Sequence, residues 1–179
     1  MLLPGTDDWV DVVSAPIDVT RAHEYLSNGT ANGTTNGAAN FGATLVFLGR
    51  VREFTSPQNT GYSDRAPLVE RDGQWVVHTS ELIYECYPAM AIRVMQELLV
   101  EARDRWPLLR QILHHRVGRL AAGEIAILIG VTSSHRAAAY AANEFLIEQV
   151  KQRVPVWKQE IYASGITGWV HPIPNSIAR

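Results

Sequence analysis

The 179 residues hold a single cysteine, Cys86. One thiol cannot form an internal disulfide, so a disulfide-stapled scaffold is excluded and a reducing, cytoplasmic setting is expected. Cys86 lies in the strand-like run 82–87 and reads as a buried, inert thiol rather than a nucleophile. No apolar run approaches the ~20 residues needed to cross a bilayer, and no basic stretch followed by an apolar one marks a secretory signal. A basic excess is missing as well: 16 Lys and Arg stand against 18 Asp and Glu, for a formal net charge of −2. That argues against a general nucleic-acid binder and leaves the basic residues to be read locally. Gly-x-Gly-x-x-Gly, Walker and Gly-x-Ser-x-Gly motifs are absent, and no spacing suggests zinc. Neither a dinucleotide cofactor, a serine hydrolase nor a metal is expected.

What is present is a 46% hydrophobic chain, enough for one domain with a real core across residues 1–179. Residues 9–17 read as an edge strand ending at Pro16, and Asp18 as the N-cap of a short helix through Leu26. The Asn/Gly/Thr-rich segment 28–40 is too small and polar to bury a core and reads as a mobile loop. Residues 42–51 are apolar and β-branched, the pattern of a buried strand. The polar stretch 53–73, with Pro57, Gly61 and Pro67, reads as a long loop, which is uncommon unless disordered or functional. Strand character returns over 75–87. Pro88 then suits the first position of an amphipathic helix, with Ala91, Val94, Met95, Leu98, Ala102 and Trp106 at helical spacing. Met90 and Met95 read as core filler rather than ligands.

Two further strands, 109–117 and 124–132, are joined through 118–123. A second helix spans 134–150, capped by Ser133 or Ser134, with a stripe of Ala138, Ala141, Ala142, Phe145 and Leu146. Pro155 stops it, and 156–162 forms a final strand before a Gly/Pro-punctuated tail. Strands and helices mix without regular alternation, which favours an α+β fold over a doubly wound sheet.

The basic residues cluster in the last third. His135 and Arg136 open the second helix, where a cation opposes the positive end of the dipole. An anionic substrate would offset that cost, because first-turn N–H groups attract negative charge. A solvated Arg beside a hydrogen-bonded His is the plain alternative. Lys151, near the helix C-terminus, is favourable for electrostatic reasons alone. Lys158 follows Pro155-Val156-Trp157 in a strand, where a wall of aromatics would desolvate it and lower its pKa. Glu160, on the same face two residues on, would raise it instead, and the sequence leaves the outcome open. Arg50 and Arg52, two apart in an extended segment, should share a face. His135 and Lys151 are sixteen positions apart, about 24 Å along an unbroken helix. They serve different pockets, or two chains build one site; a homodimer with interfacial sites is favoured. His114 and His115 sit on opposite faces of their strand and are weak signals, as are His23, His78 and His171.

Several ordered motifs carry a resemblance. They are Phe47-Leu48-Gly49-Arg50-Val51-Arg52, Tyr84-Glu85-Cys86-Tyr87-Pro88-Ala89-Met90, His115-Arg116-Val117-Gly118 with Gly123-Glu124, Ser133-Ser134-His135-Arg136, and Val154-Pro155-Val156-Trp157-Lys158-Gln159-Glu160. In this order and spacing, from about Phe41 to Trp169, the chain resembles the large, catalytic subunits of molybdopterin synthase. The resemblance implies an α/β hammerhead fold with packed helices and a small β subdomain. It also implies a homodimer within a heterotetramer, each end carrying a small ubiquitin-like subunit with a thiocarboxylated C-terminal Gly-Gly. Sulfur would pass from that tail to cyclic pyranopterin monophosphate, two partner molecules being consumed for each dithiolene.

Carried over by position, Arg50, Val51, Arg52, His135 and Arg136 would bind substrate. Lys158 and Lys151 would stand at the sulfur-transfer centre, with Gln159 and Glu160 lining it. Arginine forks suit phosphate oxygens, and a desolvated lysine can move protons. This chain departs from the pattern in the 28–40 insertion, the longer 53–73 loop, and Gln159 where a second basic residue is often found. No ubiquitin-like stretch is fused within these residues, so the small subunit is expected as a separate chain. The competing readings are a non-catalytic module binding a ubiquitin-like tail or a phosphorylated metabolite, and a phosphate-ester hydrolase using His135. The hydrolase lacks a metal constellation or an activated nucleophile.

Overall fold

The structure, a computed structural model, describes residues 8–27, 41–57 and 67–170. The expected loop 28–40 and residues 58–66 of the expected loop 53–73 lie outside these, as does the tail from His171. Among the described residues thirteen elements follow in order: β1 (Asp8–Val13), α1 (Val19–Ser27), β2 (Ala43–Arg50), β3 (Phe54–Thr55), β4 (Leu68–Arg71), β5 (Gln74–Cys86), α2 (Pro88–Arg105), β6 (Leu108–Arg116), β7 (Gly118–Ala121), β8 (Ile125–Ser133), α3 (Arg136–Arg153), β9 (Val156–Tyr162) and β10 (Thr167–Val170). The fold is α+β, as expected.

Two sheets organise these elements. The first has the order β1-β6-β8-β2, with β1 parallel to β6 and the other pairs antiparallel. Alternation along its strands divides the core. Leu113, Ile127, Ile129 and Val131 pack with Ala91, Met95, Leu98 and Ala102 of α2 and Ala139, Ala142 and Leu146 of α3. Ile112 and Leu128 turn the other way, onto Ala22 and Leu26 of α1. Gly130 lets α1 come this close, since a Cβ there would collide with Leu26 Cδ1. A buried polar clamp ties β1 to α2 and β6. Asp8 is fully buried, accepts from Arg103 Nε at 3.3 Å and Nη2 at 2.5 Å, and accepts from Gln111 Nε2 at 3.2 Å.

The second sheet runs β10-β9-β5-β3, with β4 and β7 also paired to the long β5. This small β subdomain differs from the sequence expectation in three places. The ends of the 53–73 loop form β3 and β4. The 118–123 join contains β7, which leaves its neighbours to pair Glu81–Tyr84 of β5. The 156–162 strand is not the last, because β10 returns antiparallel to it. A fourth difference is β2, which is an edge strand with its apolar residues half-buried rather than a buried one.

Local chemistry sets the helix ends. Asp18 Oδ1 accepts from the Arg21 N–H at 2.9 Å, so the expected cap is present. Pro88 occupies the start of α2. At α3 the expectation fails: His135, with extended φ −133° and ψ 135°, is the N-cap and makes no side-chain capping bond. Ser133 instead donates its hydroxyl to the Pro107 carbonyl at 3.0 Å.

Candidate active site at the β5–β9 ladder

The register of β9 on β5 builds the site. Lys158 stands opposite Tyr84, and Glu160 opposite Leu82. Directly opposed residues share a sheet face, so Tyr84, Leu82, Lys158 and Glu160 look the same way while Trp157, Gln159 and Ile83 look the other. Burial follows this division: Leu82 and Glu160 are buried, and Trp157 is 52% exposed. Arg52, just beyond β2, brings a positive charge that acts on both Tyr84 and Lys158.

Lys158 Nζ lies 3.7 Å from Glu160 Oε1, with one third of the lysine side chain still exposed. The two opposing influences on this amine now have an outcome. Burial is the largest and lowers its pKa, the Glu160 carboxylate opposes it, and Arg52 adds to the lowering. Removal from water therefore outweighs the ion pair, and the amine loses its proton more readily than an ordinary lysine. The other Glu160 oxygen, Oε2, is buried with no hydrogen-bond partner among the described residues. Tyr84 is pushed up to about 12, first by burial and then by Glu160, with Arg52 opposing. It is a neutral phenol at any physiological pH. Its ring meets His115 edge-on, with centroids 5.2 Å apart. A partly dehydrated amine, a carboxylate with a free oxygen and a guanidinium can together hold an anion and move a proton.

The remaining predicted residues are placed elsewhere. Val51 is 3% exposed and packs with Leu82, Leu120 and Ala126, so it is a core residue beside the site. Arg50 follows a register irregularity after Gly49, and its Nη1 donates to the Gly123 carbonyl at 2.9 Å. It lines a groove of about 320 Å³ with Pro16, Ile17, Arg116 and Glu124. The two arginines expected on one face thus have different partners. Gln159 lies on the sheet face opposite Lys158. Lys151 is exposed in the last turn of α3, 3.5 Å from Glu148. His135 and Arg136 are exposed at the other end of that helix. α3 is unbroken between them, so about 24 Å separates His135 from Lys151.

Two residues of the site were not singled out from the sequence. Tyr84 sits in a quoted motif, but its position facing Lys158 depends on a ladder between strands far apart in the chain. His115 is 7% exposed and backs Tyr84. Its strand alternation was legible, whereas its partner was not. Among the described residues no group of three His, Cys, Asp or Glu could hold a metal.

A family model described as MoaE protein matches residues 12–153. The chain belongs to the MoaE family. Among curated members of that family, the molybdopterin synthase catalytic subunit of Haemophilus ducreyi is 35% identical over 156 residues, covering 87% of this chain and 85% of its own. That of Bacillus subtilis is 37% identical over 124 residues, covering 69% and 67%. The MoaE architecture is also shared in three dimensions. The crystal structure of molybdopterin synthase from Staphylococcus aureus superposes with a TM-score of 0.65 at 31% identity, over 89% of this chain and 94% of that one. A complex of subunits 1 and 2 of the molybdopterin-converting factor from Helicobacter pylori shares the fold, with a TM-score of 0.60 at 19% identity over 93% and 92%.

Proposed function

We propose that this protein is the catalytic subunit of a molybdopterin synthase. It takes sulfur from the thiocarboxylated C-terminal Gly-Gly of a small ubiquitin-like subunit and delivers it to cyclic pyranopterin monophosphate, forming the dithiolene of molybdopterin. The observation that carries this reading is the Lys158 amine, partly dehydrated in the β5–β9 ladder beside Glu160 and under the positive field of Arg52. Sulfur attack on a cyclic phosphate substrate needs proton transfer and an anion hold, and these three groups supply both. Lys158 is the principal proton carrier and Lys151 the second candidate. Arg50, His135 and Arg136 contribute to the anion-binding surface, with Gln159 at its margin.

His135 and Lys151 cannot meet on one small ligand within one chain, given the length of α3. We therefore propose a homodimer in which His135 and Arg136 of one protomer face Lys151 and Lys158 of the other, with a small subunit at each end of a heterotetramer. A lone cysteine, Cys86, supports a reducing, cytoplasmic setting for the assembly. Mixing His135→Ala and Lys158→Ala chains tests the shared site. Complementation should restore up to about a quarter of wild-type turnover, since half the dimers then mix and each mixed dimer holds one intact site. No recovery would leave each site within one chain.

The function itself is tested by single turnover with purified protein, thiocarboxylated small subunit and cyclic pyranopterin monophosphate. Molybdopterin formation is expected. A bound small subunit with no product would favour a non-catalytic docking module instead.

A further inference from the structure

Proton transfer at Lys158 depends on what keeps water from its amine. Among the described residues, the charged and titratable groups that face it are Glu160 on its own strand, Tyr84 across the ladder and Arg52 after β2. On the other flank β10 presents Val170 in register, which carries no charge. Glu160 and Arg52 are polar and would draw water in. Tyr84 is the one large, mostly apolar surface of the set. Its ring is backed by His115, and that imidazole is fixed in turn: Nδ1 donates to the Arg116 carbonyl at 2.9 Å, and the residue is 7% exposed. A ring held from behind cannot swing off its neighbour without disturbing β6.

We propose that Tyr84 is a positioning residue for the reaction at Lys158: its ring, clamped against His115, walls the Lys158 amine and Glu160 off from water. The inference rests on the reading of Lys158 as the proton carrier and adds the residue that makes such an amine possible here. The ring does this work and the hydroxyl does not, so phenylalanine should replace tyrosine and a small residue should not.

The test reads Lys158 directly and needs no turnover. Full-length protein is acylated with a trace amine reagent across a pH series, and Lys158 labelling is quantified by peptide mass spectrometry. Each curve is normalised to its own plateau, so that altered access cancels, and the exposed Lys151 peptide corrects for reagent activity. The half-labelling pH of Lys158 should move upward in Tyr84→Ala and stay at the wild-type value in Tyr84→Phe. Tyr84→Thr, a β-branched strand former, should behave as Tyr84→Ala and serves if the alanine variant does not fold. An unmoved midpoint in a folded small-residue variant would overturn the wall. A Tyr84→Phe midpoint displaced as far as that of Tyr84→Ala would overturn it too, by assigning the effect to the hydroxyl. The pH profile of single turnover then separates the two layers of the argument. A profile that moves with the labelling curve supports the positioning role. An unmoved profile beside a moved labelling curve would end that role and the reading of Lys158 as proton carrier, while leaving the site's geometry intact.

Discussion

Acid should weaken this fold through His114, and the size of the effect can be worked from its surroundings. The residue is 5% exposed, its Nε2 is buried without a hydrogen-bond partner among the described residues, and its ring packs edge-on against Trp9 with centroids 4.4 Å apart. Burial lowers its pKa from 6.5 to about 4, with Asp11 opposing and Arg21 reinforcing the change. The unfolded chain therefore binds a proton between these values that the native state refuses. Stability is fully present above pH 6.5 and drains away as pH falls towards 4. At ~1.4 kcal/mol per pH unit, the loss by pH 4 is about 3 kcal/mol, a large part of a typical domain's stability. Other groups titrate in the same range, so the measurement is a difference. Urea unfolding of wild type and His114→Phe at pH 7 and pH 4 gives the two losses. Phenylalanine keeps a ring against Trp9 and cannot take up a proton. The wild-type loss should exceed that of the variant by about 2–3 kcal/mol. A difference under about 1 kcal/mol would mean that His114 titrates near its ordinary value, and the argument from burial would fail.

The other structural predictions are shorter. Asp8→Ala removes the carboxylate that pairs the largely buried Arg103 guanidinium, leaving it the Leu108 carbonyl and Gln111 the Leu99 carbonyl, and should cost about 3–5 kcal/mol in denaturant unfolding. Gly130→Ala drives a methyl into Leu26 and should cost about 1–3 kcal/mol, with Leu26→Ala in the same chain relieving the clash without restoring wild-type stability. Asp18→Ala removes the bond to the Arg21 N–H and should lower stability by about 1 kcal/mol, whereas Asp18→Ser should be nearly neutral.

Elements whose chemistry is local could be read from the chain, and elements defined by a distant partner could not. Asp18 caps α1 and Pro88 starts α2 because the capping carboxylate and the fixed proline φ act within a single turn. The spacing of Ala91, Met95, Leu98 and Ala102 finds the buried face of α2 because charges separate these residues. On α3 the same method finds only part of the buried face: Ala142 and Leu146 of the expected stripe are buried, whereas Ala138, Ala141 and Phe145 are only partly so, and Ala139, Asn143 and Val150 complete the face. A helix with alanine at 137, 138, 139, 141 and 142 offers too little contrast to fix its rotation. β3, β4, β7 and β10 are two to four residues long, too short to show a period, and exist because β5 and β9 offer them an edge. At the site, the conflict at Lys158 between burial and Glu160 could be posed from the sequence. Its outcome depended on burial in the β5–β9 ladder, which a register between residues 74 positions apart creates by setting Tyr84 opposite Lys158.

The most direct test of the account is single turnover by Lys158→Ala, with binding of the thiocarboxylated small subunit measured in the same preparation. The account predicts that molybdopterin formation is abolished while the partner still binds. Turnover retained near the wild-type level would contradict it and remove Lys158 from the chemistry.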